Sequence, residues 1–63
     1  MSVFELAILI EAEANQRMGV NQSCVRVSVH GCAVICVKGA REGQVIEHAK
    51  TLQGLLHRLQ QYH

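Results

Sequence analysis

Val25, Val27 and Val29 alternate with Arg26, Ser28 and His30 at the centre of the sequence, and a second apolar run, Ala33 to Val37, follows shortly after Gly31. β-Branched residues at a period of two mark strands with one face turned to a core. The two runs predict a hairpin, with strands over 24–30 and 33–38 and a turn at His30-Gly31-Cys32. Two strands alone are marginal in water, so the flanking segments must cover them, and both carry helical periodicity. The expected fold class is α+β: a two-layer α-β-β-α arrangement over residues 1–63, with an antiparallel hairpin packed against two helices.

Two registers suit the hairpin. A Gly31-Cys32 turn satisfies the glycine-first preference of a type II′ loop and sets Val29 opposite Val34. A three-residue loop centred on Gly31 pairs Val29 with Ala33, Val27 with Ile35 and Val25 with Val37, which makes one face wholly apolar. Burial fixes register more firmly than turn preference, so the second is expected.

The first helix is expected over 2–17. Ser2 is an N-cap with Glu5 three residues on, a capping box, and Gly19 stops the helix, before a polar loop at Asn21-Gln22-Ser23. Val3, Leu6, Ala7, Ile10, Ala14 and Met18 share one face, while Phe4, Ile8 and Leu9 lie beyond what one hairpin can cover. The second helix is expected over Arg41 to Tyr62, where Val45, Ala49, Leu52, Leu55, Leu56, Leu59 and Tyr62 form one stripe. Gly54 falls on its polar side, where the glycine is either simply tolerated or marks the close approach of another backbone.

Chains shorter than roughly 70–80 residues seldom stabilise themselves by core burial alone, and this one has 63 residues, of which 49% are hydrophobic. That surplus predicts a homodimer with a sheet extended edge to edge, and a partner-binding or dimer interface at Phe4, Ile8, Leu9, Gly54, Leu55, Leu59 and Tyr62. Net charge is +1 but unevenly spread. Glu5, Glu11 and Glu13 outweigh Arg17 in residues 1–23, whereas Arg26, Lys38, Arg41, Lys50 and Arg58 outweigh Glu42 and Glu47 in the remainder. These five cations form a basic surface, the basis of an alternative reading as a small nucleic-acid-binding regulator using the hairpin and second helix. Against that reading, Phe4 and Tyr62 are the only aromatics and neither is on a strand, so no base-stacking sheet is expected.

Chemistry is sparsely indicated. In the favoured register Cys24, His30, Cys32 and Cys36 project from one sheet face, but their spacing matches no paired zinc knuckle, so no metal or other cofactor is expected. His48 falls inside the apolar stripe of the second helix, with no Ser or Asp at a spacing that makes a triad. No apolar stretch is long enough for a membrane span, and three thiols with no C-x-x-C pair suit a reducing cytoplasm.

The helix–hairpin–helix order resembles that of the small head-joining proteins of tailed phages. The stretch Val25 to Leu56, with Gly39-Ala40 ahead of the last helix, is loosely similar to the DinI-like recombinase regulators, whose initial strand, aromatic-rich end and acidic final helix have no counterpart here. Both likenesses rest on element order, which implies no function. The expected role is that of a small non-enzymatic cytoplasmic protein that binds and modulates or inhibits a larger protein, in the manner of phage or mobile-element accessory proteins.

Overall fold

The computed structural model describes residues 2–19 and 22–62, so Asn21 of the expected loop lies outside the described residues. The element order is α1 (Val3–Met18), β1 (Ser23–Ser28), β2 (Gly31–Cys36), β3 (Val45–Ala49) and α2 (Leu52–Gln60). The three strands form one antiparallel sheet in the order β1-β2-β3. The α+β class stands, but the order is α-β-β-β-α, and the order-based likeness to the phage head-joining proteins goes with the two-strand reading.

α1 starts where its cap predicts. The Ser2 hydroxyl accepts from the Glu5 N–H at 3.2 Å, and Gly19 closes the helix in the left-handed conformation.

The single long helix expected over Arg41 to Tyr62 is replaced by a turn, a strand and a short helix. Gly43 has φ +86°, which no residue inside a right-handed helix adopts. Its N–H donates to the Cys36 carbonyl at 2.8 Å, while the Cys36 N–H donates to Gln44 at 3.0 Å. These bonds fold residues 37–44 into the link that brings Val45 and Ile46 alongside β2. Thr51 then caps α2, accepting the Gly54 N–H at 3.0 Å. Val45, Ala49 and Leu52 matched a helical stripe only because their spacing of four and three is also available to a strand followed by a capped turn. A bulge lies where Val34 pairs with Glu47 and Ile35 with Val45, leaving Ile46 over, and Ile46 turns into the core.

The hairpin register is neither of the two expected. Ser28 pairs with Gly31 around a two-residue Val29-His30 turn, which sets Val27 opposite Cys32 and Val25 opposite Val34. The buried residues of β2 are therefore Cys32, Val34 and Cys36, and the intervening Ala33 and Ile35 face the other way. The third strand explains Gly31: a Cβ there would sit 2.7 Å from the Ala49 carbonyl oxygen. Its constraint is the passage of β3, which hairpin propensities do not contain.

One core holds the elements together. Ile10 and Ala14 from α1, Cys32, Val34 and Cys36 from β2, Ile46 from β3, and Leu55 and Leu59 from α2 form a single buried cluster. The opposite sheet face, bearing Cys24, Arg26, Ser28, Ala33, Ile35, Val45 and His48, contributes no fully buried residue.

Candidate interaction surface

Two hydrogen-bonding rungs lay α1 along β1. The Ser23 hydroxyl donates to Asn15 Oδ1 at 2.9 Å, and the Val25 N–H donates to Glu11 Oε2 at 3.1 Å. The helix and strand run in opposite directions, and Asn15, Glu11, Ile8 and Phe4 lie along one side of α1 at spacings of four, three and four. A helix rises about 1.5 Å per residue and a strand about 3.3 Å. Continuing past Glu11–Val25, the same antiparallel course carries Ile8 and Phe4 toward the end of β1 that bears Val27, with Val29 beyond it in the turn.

These side chains are open to solvent. Phe4 is 82% exposed, Ile8 66%, Val27 67% and Val29 96%, with Val3 at 64% beside them. This side of α1 changes character along its length: polar and bonded at its C-terminal half, apolar and uncovered at its N-terminal half. Together the exposed side chains make an apolar corner where the start of the helix stands beside the tip of the hairpin. Contiguous apolar surface of this kind marks contact sites.

The other residues singled out from sequence are distributed elsewhere. Leu9 is half-buried, one residue and about 100° round the helix from Ile8. Leu55 and Leu59 are wholly buried in the core and present nothing to a partner. They were assigned to an interface only because the expected helix was long enough to leave spare leucines. Gly54 sits in the first turn of α2, where an added Cβ would come within 3.1 Å of Thr51 Oγ1 and 3.6 Å of Ala49 Cβ. The close neighbours of Gly54 are its own cap and β3, with no second backbone needed.

Tyr62 closes a polar cluster with β3. Its hydroxyl donates to Glu47 Oε2 at 2.7 Å, the His48 N–H donates to Glu47 Oε1 at 3.0 Å, and Arg58 Nη1 lies 3.8 Å from the same carboxylate. The His48 N–H, the largest influence, holds the Glu47 carboxyl below the usual carboxylate range; burial pushes it the other way, and lesser pulls from Tyr62 and Arg58 add to the lowering. The same bond raises Tyr62 above the ordinary phenol value. Arg17 of α1 donates to the Tyr62 carbonyl at 2.8 Å, so both sides of Tyr62 are tied.

The five cations do not form one surface. Lys38 and Arg41 lie in the β2–β3 link, whereas Lys50 sits at the other end of the sheet, with its Cα beside Gly31. Arg58 is engaged with Glu47, and Arg26 stands on the open sheet face opposite Ala33. The four residues weighed as a ligand cluster, Cys24, His30, Cys32 and Cys36, are separated too. Cys32 and Cys36 are buried on the helix side, Cys24 is on the opposite face, and His30 is in the turn. All three thiols are free, burial pushes Cys32 above the ordinary thiol value, and the described residues contain no cluster of three metal-binding side chains. His48 is an exposed strand residue paired with Ala33, not part of a helical stripe. No helix among the described residues is long and apolar enough to cross a membrane.

Val27 and Val29 were missed as surface residues because their exposure depends on register. Nothing local in the Val-x-Val-x-Val run distinguishes the residue that is covered from the two that are not. No protein family, curated protein or solved structure matches this chain.

Proposed function

We propose that this chain is a small non-enzymatic protein that binds and modulates a larger protein through the corner formed by Phe4, Ile8, Val27 and Val29. The observation that carries the reading is the exposure of these four side chains, each about two-thirds or more, in the first half of α1, at the end of β1 and in the turn that follows it. In the free protein the same corner joins two copies, apolar side chains against apolar side chains. Each copy would bring on the order of 600 Å² of apolar surface, the upper end of what monomers normally expose and close to the about 800 Å² per side of a standard interface.

Affinity capture from native lysate with the wild type and with a Phe4→Ser/Ile8→Ser variant tests the partner. The wild type should retain a protein that the variant, folded to the same circular dichroism spectrum, loses. An unchanged capture list removes the corner as the site. Light scattering reads the second statement: a mass of one chain at micromolar concentration overturns the homodimer.

A further inference from the structure

The uncovered face of the sheet has its own relief, which meets the apolar corner only at Val27. Arg26 pairs with Ala33 across β1–β2, and Ala33 pairs with His48 across β2–β3, so the three stand in one row on one face. Toward the hairpin tip the central strand carries Gly31, opposite Ser28. The middle strand therefore bears only a methyl group and a hydrogen between longer side chains on both neighbours. The result is a trough of about 250 Å³ along β2, walled by Arg26 and Ser28 on one side, His48 on the other and His30 at the turn.

The polar side chains on the walls, Arg26, Ser28, His30 and His48, are cationic or hydrogen-bond donating, and Val27, Cys32 and Ala49 complete the lining. Among the described residues no carboxylate lines the trough, and Arg26 takes part in neither of the two ion pairs. The backbone pattern sets the spacing. The Val25 N–H goes to Glu11 rather than to β2, so Arg26–Ala33 is a hydrogen-bonded pair and Ala33–His48 a non-bonded one. Their separations of about 5.5 and 4.5 Å put the Arg26 and His48 α-carbons roughly 10 Å apart. That span is within side-chain reach of a guanidinium on one strand and an imidazole on the other.

We propose that this trough binds a small phosphate-bearing ligand. Arg26 presents its planar fork to two phosphate oxygens, and His48 and His30 offer ring N–H donors from the facing wall and the turn. The Ala33 methyl is the floor. The volume admits a phosphate with a small substituent and falls below the range of about 300–1,000 Å³ typical of larger organic ligands.

Titration of the ¹⁵N-labelled full chain with inorganic phosphate, at ionic strength held constant with chloride, tests the site. Saturable movement of amides within 26–33 and at 48 is expected. Arg26→Gln should weaken it by about tenfold or more. Ala33→Leu should do the same by filling the floor without changing charge. Lys38→Gln, at the other end of the sheet, should leave it intact. Dispersion of the amide spectrum shows whether each variant is folded, and Arg26, being exposed, decides the matter if Ala33→Leu disturbs the sheet. The proposal is overturned by the absence of saturation at tens of millimolar phosphate, or by equal weakening in Lys38→Gln. Binding of a single-stranded oligonucleotide without any response to phosphate would also overturn it, since that is diffuse polyanion attraction.

Discussion

The two helices use their apolar residues in opposite ways. α2 is nine residues long and buries Leu55 and Leu59 completely. α1 is 16 residues long, buries only Ile10 and Ala14 completely, and leaves Val3, Phe4 and Ile8 in solvent. Both share the same core, so the difference lies in what else each helix faces. α2 is fastened at its start by Thr51 and, just beyond its end, by the bonds of Tyr62. The first half of α1 packs through Leu6 and Ile10 and leaves its other side uncovered at Val3, Phe4 and Ile8. Hydrophobicity in α2 is spent on folding, and much of that in α1 is left in solvent.

Substitutions can break that contrast, and the largest effect belongs to α2. Leu59→Ala should lower unfolding free energy by about 2–5 kcal/mol, the range for emptying a sealed leucine site, measured by urea denaturation. A loss below about 1 kcal/mol would mean that the core is not closed around α2. Thr51→Ala should cost about 1 kcal/mol through the lost cap. It also tests directly whether the helix begins at Leu52 rather than near Arg41, since in a longer helix Thr51 would be an interior residue that alanine improves.

Acid sharpens the comparison at the C-terminal tether. Glu47 is held below its unfolded value, so its contribution is fully present above about pH 4.3 and is lost as pH falls from there through the folded value. Glu47→Gln should flatten the acid limb of a thermal-melt series in that window. An unaltered limb would detach stability from the Tyr62–Glu47 bond. The smallest expected change in stability is at the corner itself. Phe4→Ser and Ile8→Ser should each stay within about 0.5 kcal/mol of wild type, as exposed positions do, while abolishing capture of the partner.

What the sequence disclosed and what it hid divide along the same line. The start of α1 is written locally in Ser2 and Glu5 and its end in Gly19, and the exposure of Phe4 and Ile8 follows from helical periodicity once a core face is chosen. β3 was hidden because Val45, Ala49 and Leu52 satisfy a helical period by coincidence, and the Thr51 cap between them was passed over. Everything that depends on β3 was lost with it: the hairpin register, the reason for Gly31, the exposure of Val29, and the row that joins Arg26 to His48. These are long-range pairings, and a local pattern cannot choose among them.

The Glu11 carboxylate on the Val25 N–H has a counterpart on the far side of the sheet, where Glu47 occupies the outward N–H of His48. Each outermost strand thus has one of its donors already taken by an acid. A protein that exposes so much oily surface beside a bare strand is at risk of stacking into fibres. Here an added strand would meet a carboxylate already seated on a donor at either flank, an arrangement that disfavours edge-to-edge pairing.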